Sequence, residues 1–341
     1  MLAVKLPSKE TIKVVEESIP VPQKKEVLIK MKASALCRSD LHRYHGENLF
    51  DEDDDANITP GHEPCGIVEE LGEGVTRVKK GDRVAIYLGL GCGTCPHCRK
   101  GDVMLCPDFG CIGFVKNGAH ADYMTIPEEN CLLLPEGMDY VTGALATDVG
   151  GTLYTACKRI GLNGTKTVSI IGCGPMGSGG ILMAKGFGAT VIAIDTDEKR
   201  LEMAKSLGAD YVVNPLKEDG VAKTKELAGG SGTDASIVTA GGNLPLNSAL
   251  NSVKPLGQVA LIAESNHAAI DPSNQFVRTL AELKGCWYFN RGDWEEISDF
   301  IMRKQIDLKK ISSHTFSIAE AQKAFPLFDS GETQKVVFVW E

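Results

Sequence analysis

The chain has 341 residues, 43% of them hydrophobic, so it can bury a full core without disulfide support, and its length predicts two domains. The net charge of −9 at pH 7 argues against a nucleic-acid surface, which needs clustered lysine and arginine. There is no run of about 18 apolar residues, which predicts no membrane span. Eleven cysteines, an odd number, and an N-terminus without a long apolar run predict a reducing, cytoplasmic compartment.

Residues 1 to about 149 contain short β-like runs that glycine and proline interrupt. The runs are EVLIKMKASALC, CGIVEELG, DRVAIYLGLG and ADYMTIP. Several short strands with turn residues between them predict a mostly-β barrel or sandwich-like domain. The acidic run at residues 51–55 has the composition of a hard-metal site. However, its like charges repel and its ligands have no ordered spacing, so we expect a mobile, solvated loop.

Residues 91–107 contain four cysteines with the spacing C-x2-C-x2-C-x7-C. They are Cys92, Cys95, Cys98 and Cys106. Four thiolates at this spacing can close a tetrahedral zinc site, and clustering this dense favours zinc over a loop of free thiols. Because four sulfur ligands leave no position for a substrate, we predict a structural role for this zinc lobe.

Residues 150–287 change to a pattern of strands that alternate with helices. TVSIIG and TVIAID are buried strands, each followed by a helical segment, and YVVN, ASIVTAGG, QVALIA and ELKGCW continue the series. This alternation predicts a parallel, doubly wound sheet. The tail, residues 288–341, shows two amphipathic helices and a final strand, KVVFVW, which we expect to return to the first domain.

A dinucleotide-binding fingerprint, G-x-G-x-x-G, follows the strand TVSII and opens a helix, which is the context that gives this motif weight. Its residues are Gly172, Cys173, Gly174, Pro175, Met176 and Gly177. The glycines allow a tight turn, close approach to a pyrophosphate and close packing of helix on strand. Asp195 ends the next strand, where a carboxylate accepts hydrogen bonds from ribose hydroxyls and repels a 2′-phosphate. The sequence therefore predicts NAD rather than NADP. The alternative is a glycine-rich turn in an unrelated α/β protein.

Candidate ligands for a second metal lie in the first domain, in the segments CRSDLH and PGHEPCG. Cys37, His62 and Glu63 are good zinc ligands by type, although a lone cysteine is more often a small buried hydrophobe. With these segments, the four-cysteine lobe and the glycine fingerprint together, the chain resembles the zinc-dependent medium-chain dehydrogenases/reductases of the alcohol dehydrogenase superfamily, essentially end to end. The segment CWYFNRGDWEE is similar to the polyol and sugar branch of that family.

The resemblance implies an α/β fold with a GroES-like, mostly-β catalytic domain and a Rossmann cofactor domain. It assigns residues 1–149 and 288–341 to the former and 150–287 to the latter. It implies a catalytic zinc held by Cys37, His62 and a third ligand at the position of Asp148, where cysteine is commoner in the family. A carboxylate still binds zinc and is harder than a thiolate, whereas a surface or capping role is the alternative for this aspartate. The counterpart of Glu63 in relatives can approach the metal.

Further roles follow from the same resemblance. The counterpart of Ser39 contacts the substrate oxygen, and His42 would pass the proton towards solvent, unless it is an ordinary surface histidine. Asp40 would orient the zinc-bound histidine. Arg38 would reach the cofactor pyrophosphate and Arg200 the adenosine side, and Thr152 and Met176 would lie against nicotinamide. An alcohol at the open metal position would release a hydride to NAD.

The predicted function is therefore a zinc dehydrogenase with two Zn2+ per chain, one catalytic and one structural, and bound NAD. It would interconvert a secondary alcohol or polyol with its ketone or aldehyde, and the protein would be a homotetramer or homodimer. The alternative is a zinc-independent, NADP-type quinone or enal reductase, or a non-catalytic cofactor-binding protein of the same fold. Those relatives lack the G-H-E and four-cysteine motifs that this chain contains.

Overall fold

The computed structural model describes residues 1–47 and 57–341, so the acidic run at 51–55 lies outside the described residues. The chain divides into two compact units. The first unit comprises Met1–Asp148, Asn290–Asp299 and Leu308–Glu341, and the second unit comprises Val149–Phe289 and Phe300–Asp307. No helix of the described residues is long and apolar enough to span a membrane.

The elements of residues 1–159 are short, as the frequent turn residues predict. The strands are β1 Leu2–Ser8, β2 Thr11–Glu16, β3 Glu26–Ala35, β4 Glu63–Leu71, β5 Arg83–Ile86, β6 Gly89–Leu90, β7 Gly110–Cys111, β8 Tyr123–Pro127 and β9 Cys131–Leu133. The helices are α1 Arg38–Tyr44, α2 Pro96–Lys100, α3 Tyr140–Leu145 and α4 Gly151–Arg159. A π-helical turn, Ala146–Gly150, lies directly before α4.

The elements of residues 160–341 alternate between strand and helix before the tail begins. The strands are β10 Thr167–Ile171, β11 Thr190–Ile194, β12 Tyr211–Val213, β13 Thr233–Val238, β14 Val253–Leu261, β15 Glu282–Gly285, β16 Ser312–Phe316 and β17 Lys335–Val339. The helices are α5 Pro175–Gly186, α6 Glu198–Ser206, α7 Gly220–Leu227, α8 Asn243–Ser252, α9 Trp294–Arg303 and α10 Ala321–Asp329.

The first unit is built on a sheet whose longest strand, β3, is buried along most of its length. Among the described residues the sheet has seven strands in the order β16-β17-β3-β4-β5-β9, with β8 also paired to β3. The final strand β17 runs antiparallel to β3, with Val337 opposite Ala35, which confirms the expected return of the tail. Helix α10 packs Phe325 and Phe328 into the core of this unit, where Phe338 of β17 also lies.

The second unit contains a six-stranded sheet, formed within the fully described residues 149–289. Its order is β12-β11-β10-β13-β14-β15, and each neighbouring pair is parallel. The first strand of the series lies near the middle and the chain winds outwards in both directions, which is the doubly wound arrangement that the sequence predicts. Because ligands bind at the carboxyl ends of such strands, the loop after β10 is placed for a cofactor.

Helix α9 contains the point where the chain passes from the first unit to the second. Its first residue, Trp294, donates its indole N–H to the Leu133 carbonyl oxygen in the first unit, at 2.8 Å. Phe300 packs against Tyr154 and Phe187 in the second unit, with ring centroids 5.0 and 4.6 Å away. Residues 300–307 therefore belong to the second unit, and in this respect the structure differs from the predicted boundary, which gave all of residues 288–341 to the first domain.

We predict that Phe338→Ala lowers the free energy of unfolding by about 3–5 kcal/mol, because loss of a fully buried ring leaves a cavity between β17 and α10. Urea denaturation followed by circular dichroism measures this change. Val21→Ala is the control, since Val21 is 71% exposed and its truncation should change the value by less than about 0.5 kcal/mol. Equal effects of the two substitutions would contradict the packing described here.

Candidate active site and metal centres

Four side chains with metal-binding atoms converge in the first unit. They are Cys37, His62, Glu63 and Asp148, and one ligand atom from each lies within 4.8 Å of those of the others. They come from three places: the residue before α1, the start of β4, and the π-helical turn before α4. The histidine and both carboxylates are buried. A sulfur, a nitrogen and two oxygens at such separations suit one divalent transition-metal ion.

Local structure fixes the cysteine at this position. Cys37 is the N-cap of α1, in an extended conformation, and its backbone N–H donates to Asp40 Oδ2 at 2.9 Å. The other oxygen of Asp40 accepts a hydrogen bond from the Gly61 N–H at 3.2 Å. One buried carboxylate therefore ties the start of α1 to the segment that carries His62.

The same carboxylate lies beside the histidine ring. Asp40 Oδ1 is 3.3 Å from His62 Nδ1, although the pair is not aligned as a hydrogen bond. Burial raises the pKa of Asp40, but the neighbouring His62 and His120 outweigh it and hold that pKa well below its usual range. Asp40 is therefore ionised where it can orient the ring, which is the role that the family resemblance implies for it.

His120, to which sequence reasoning gave no role, is completely buried next to this carboxylate. Its Nδ1 lies 2.9 Å from Ser34 Oγ, and its Nε2 lies 3.8 Å from Asp40 Oδ2. The ring also packs against Gly61, where an added Cβ would lie 2.6 Å from Nδ1. No local motif marks this histidine, because its neighbours in space are distant in the chain.

A buried lysine is the second residue that sequence reasoning missed. Lys335, at the start of β17, is 1% exposed and its ammonium group donates to Glu63 Oε1 and, at 3.2 Å, to the Leu36 carbonyl oxygen. Burial lowers the pKa of Lys335, but the nearby Cys37, Glu63 and Asp148 outweigh it and raise that pKa above its usual value. The available signal was a lysine beside the buried run VVFVW, where an unpaired charge would be costly.

The charges around Cys37 favour its thiolate, which is the form that binds metals. Burial raises the pKa of this thiol, and Asp148 also raises it, but Lys335 and His62 outweigh them and lower it. In the structure the Sγ donates a hydrogen bond to Asp148 Oδ2 at 3.5 Å. Once the thiol has lost its proton, a shared cation would stabilise the close approach of the sulfur and the carboxylate oxygen.

Two buried polar atoms of the cluster lack hydrogen-bond partners among residues 1–47 and 57–341. They are His62 Nδ1 and Glu63 Oε2. Buried polar atoms are normally satisfied, so partnerless atoms within a donor cluster call for an explanation. His62 Nδ1 faces Asp40 Oδ1 at 3.3 Å, whereas a cation in the cluster would compensate the charge on Glu63 Oε2. The sulfur, nitrogen and carboxylate donors suit Zn2+, so the residues present fit the metal.

The two predicted proton-transfer residues lie on α1. Ser39 Oγ is 3.1 Å from His62 Nε2, so its hydroxyl lies at the edge of the donor cluster. His42 lies further along α1, is 42% exposed, and its Nδ1 is 2.5 Å from Glu47 Oε2. Glu47 is a partner that sequence reasoning did not identify.

The predicted zinc lobe brings its four sulfur atoms together in the same way. The ligand atoms of Cys92, Cys95, Cys98 and Cys106 all lie within 4.8 Å of one another. Backbone N–H groups point at these sulfurs: Cys95 donates to Cys92 at 3.3 Å, and Cys98 donates to Cys95 at 3.4 Å. Hydrogen bonds from Thr94 lower the pKa of Cys92 to about 6, whereas burial raises that of Cys98 to about 12. Four convergent sulfurs are the ligand set of a structural zinc ion, so the lobe fits that metal.

The glycine fingerprint forms the turn between β10 and α5 in the second unit. Gly172 has φ +94°, and an added Cβ at Gly177 would lie 1.8 Å from the Gly172 carbonyl oxygen. Pro175 and Met176 begin α5, with Gly174 as its N-cap. This geometry leaves the helix N-terminus free to bind phosphate.

Asp195, at the end of β11, fastens this turn. Its Oδ2 accepts a hydrogen bond from the Cys173 N–H at 2.7 Å, and its Oδ1 accepts one from the Asp197 N–H at 2.9 Å. Arg200 lies 4.0 Å from the same carboxylate, which places both predicted cofactor residues beside the turn. Of the others, Thr152 is buried in α4 and Arg38 lies at the start of α1.

Comparison with known proteins identifies the family of this chain. The family model for the alcohol dehydrogenase GroES-like domain matches residues 23–136, and that for zinc-binding dehydrogenases matches residues 175–303. The uncharacterized zinc-type alcohol dehydrogenase-like protein YphC of Escherichia coli is 33% identical over 99% of this chain and 98% of its own length. L-threonine 3-dehydrogenase of Bacillus subtilis is 32% identical over 94% of this chain and 93% of its own. Among solved structures, the alcohol dehydrogenase TADH from Thermus sp. ATN1 has a TM-score of 0.92 at 28% identity, with 99% of each chain covered.

The two family models, together with a relative that is 33% identical over 99% of the chain, show a zinc-binding dehydrogenase. The chain belongs to the zinc-dependent medium-chain dehydrogenase/reductase family, the alcohol dehydrogenase superfamily. The predicted fold class is thereby confirmed, and the family matches favour the zinc dehydrogenase over the zinc-independent reductase or non-catalytic alternative.

We predict that Gly177→Ala destabilises the second unit, because its methyl group would collide with the Gly172 carbonyl oxygen. Overpacking of this kind costs about 1–3 kcal/mol or more, measured as a lower thermal midpoint. Gly174→Ala is the matched control, since its Cβ meets nothing within 4 Å. It should keep the thermal midpoint but weaken binding of the dinucleotide, whose phosphates need close backbone approach. Equal midpoints for the two variants would contradict the steric role given to Gly177.

Proposed function

We propose that this protein is an NAD-dependent zinc alcohol dehydrogenase that acts on a secondary alcohol or polyol. The observation that carries the proposal is the convergence of the partly exposed Cys37 with the buried His62 and Asp148. Three protein ligands leave one position of a tetrahedral metal free for substrate, as in catalytic zinc sites generally. Alcohol dehydrogenases that bind zinc through two cysteines and a histidine are a known example of such a site.

When bound, zinc supplies a Lewis acid that lowers the pKa of a coordinated hydroxyl, and NAD supplies the hydride acceptor. Residues of this chain orient the metal ligands and favour their metal-binding forms. Asp40 orients the His62 ring, and Lys335 and His62 favour the thiolate of Cys37. Asp148 replaces the commoner cysteine with a harder oxygen donor, which leaves more positive charge at the metal.

Proton removal is assigned to the polar side chains of α1. The Ser39 hydroxyl, next to His62, is positioned to accept the proton of a substrate hydroxyl and to donate its own onward. His42 takes the proton to the protein surface, where it is partly exposed and paired with Glu47. Imidazole suits this step because its ordinary pKa is about 6.5, near neutral pH.

Cofactor binding is assigned to the turn after β10. Gly172, Gly174 and Gly177 give the pyrophosphate access to the first turn of α5, and Pro175 and Met176 form that turn. Asp195 would accept hydrogen bonds from the adenosine ribose, and its negative charge supports NAD over NADP. By family resemblance, the proposed set also includes Arg200 at the adenosine, Arg38 at the pyrophosphate and Thr152 at the nicotinamide.

The substrate class is supported by relatives and by chemistry. L-threonine 3-dehydrogenase, by its name, acts at position 3 of threonine, which is a secondary alcohol. Phe114 lies against His62, with ring centroids 5.7 Å apart, and gives the donor cluster an apolar wall. Ser39 supplies a polar group beside it, so the site combines an apolar side with a hydrogen-bonding side.

We also infer a homo-oligomer, a dimer or tetramer. Large apolar side chains are exposed on the edge strand β15, on its neighbour β14 and on the segment between them: Leu283, Leu256, Val277 and Leu280. An open edge with such a patch favours pairing with a second copy. None of the eleven cysteines, all of which lie among the described residues, forms a disulfide, and this supports the inferred cytoplasmic location.

We predict about two zinc ions per purified chain, one for each donor cluster. Cys37→Ser should lower the zinc content to about one ion per chain. It should also reduce kcat/KM with a secondary alcohol by more than about 100-fold, because loss of a residue that only supports a metal ligand already costs about 10–100-fold. Elemental analysis and NADH absorbance measure the two effects. Cys131→Ser is the control, because that thiol lies in β9, outside both clusters. A wild-type chain without zinc, or full turnover in Cys37→Ser, would refute the proposal.

We predict that Asp195→Asn lowers the preference for NAD over NADP by at least about tenfold, equivalent to about 1.4 kcal/mol. The amide oxygen can still accept from the Cys173 N–H, while the Asp197 N–H loses its acceptor and the charge that repels a 2′-phosphate is removed. The ratio of kcat/KM values for the two cofactors measures this preference. Asp197→Asn, which retains a capping side chain for α6, is the control. An unchanged ratio in Asp195→Asn would show that cofactor choice lies elsewhere.

A further inference from the structure

The buried ion pair between Lys335 and Glu63 lies next to the donor cluster and fixes the position of the Glu63 carboxylate. Lys335 Nζ is held on two sides, by the Glu63 Oε1 and by the Leu36 carbonyl oxygen at 3.2 Å. Strand β17 supports it through its antiparallel pairing with β3. Both side chains are almost completely buried, so neither charge can be compensated by water.

The Glu63 carboxylate can interact with two cations, the Lys335 ammonium group and a metal ion in the donor cluster. Its Oε1 contacts Lys335, whereas its Oε2 is buried and has no hydrogen-bond partner among the described residues. A ligand oxygen of Glu63 also lies within 4.8 Å of the donor atoms of Cys37, His62 and Asp148. The carboxylate is therefore near enough to the donor cluster to compete for a metal position.

The charges of the site make the competition of Glu63 for a metal position depend on the Lys335 ammonium group. In their ionised forms, the partly exposed Cys37 and the two buried carboxylates, Glu63 and Asp148, would bring three negative charges into one cluster. A divalent metal and the Lys335 ammonium together balance them. Without the ammonium, the metal becomes the strongest positive charge within reach of Glu63.

We propose that Lys335 is a positioning residue that holds Glu63 away from the metal and so keeps the substrate's coordination position open. This inference rests on the proposed function, because it assumes a metal at the donor cluster. It concerns Lys335 specifically: loss of the lysine should allow Glu63 to become a fourth protein ligand, which closes the position.

The test uses the 341-residue chain with Zn2+ in the four-cysteine lobe and Co2+ in the donor cluster. The visible bands of Co2+ report its ligands and coordination number. Imidazole is titrated as a neutral external ligand, so that removal of a charge does not itself change its attraction. In the wild type it should bind at the open position and shift the bands.

In Lys335→Met we expect the bands to change before any addition, and the imidazole Kd to rise at least tenfold. Lys335→Arg, which keeps the cation and its donors, should behave as the wild type. The double variant Lys335→Met/Glu63→Gln should regain the imidazole response, because an amide oxygen is a much weaker ligand than a carboxylate. If Lys335→Met does not fold, Lys335→Gln serves as the second neutral variant.

The outcomes separate the two proposals. Failure of the wild-type donor cluster to bind Co2+ would refute the metal site itself, and with it the proposed function. Binding of Co2+ with the same imidazole response in Lys335→Met or Lys335→Gln would overturn the role of Lys335 alone. The same result follows if the response is lost in Lys335→Met and not regained in the double variant, since the loss would then come from packing.

Discussion

The structure depends on the compensation of buried negative charge in the first unit. Cys37, Glu63 and Asp148 converge in one cluster in which both carboxylates are buried and Cys37 is partly exposed, and the mutual repulsion of their ionised forms would separate them without cations nearby. Lys335 supplies one positive charge, and a divalent metal would supply the rest. This constraint links distant parts of the chain, because the lysine comes from the final strand and the acids from two earlier segments.

Asp40 holds the backbone segments of the donor cluster in place. By accepting hydrogen bonds from the backbone N–H groups of Cys37 and Gly61, it fixes both ligand-bearing segments to each other before any metal binds. His120 lies beside the same carboxylate. A metal site prepared in this way loses little conformational freedom when it is filled, and small movements of its supports should affect the metal.

Local sequence patterns predicted most of the fold but only part of the site. The alternation of strands and helices over residues 150–287 predicted the parallel sheet, and the cysteine spacing predicted a cluster that the structure brings together. Lys335, His120 and Glu47 were missed. The first two act on the site through pairings between residues far apart in the chain, which no local spacing reveals. The placement of Phe300 with the second unit likewise depends on aromatic contacts that helical periodicity cannot show.

A crystal structure of the purified protein, with anomalous diffraction recorded on both sides of the zinc absorption edge, tests the existence of the catalytic metal most directly. We expect two anomalous peaks per chain. One should lie about 2.0–2.3 Å from Cys37 Sγ, a ring nitrogen of His62 and a carboxylate oxygen of Asp148, and the other among the four lobe sulfurs. A single peak in the lobe, with those three side chains pointing apart, would contradict a metal held by Cys37, His62 and Asp148.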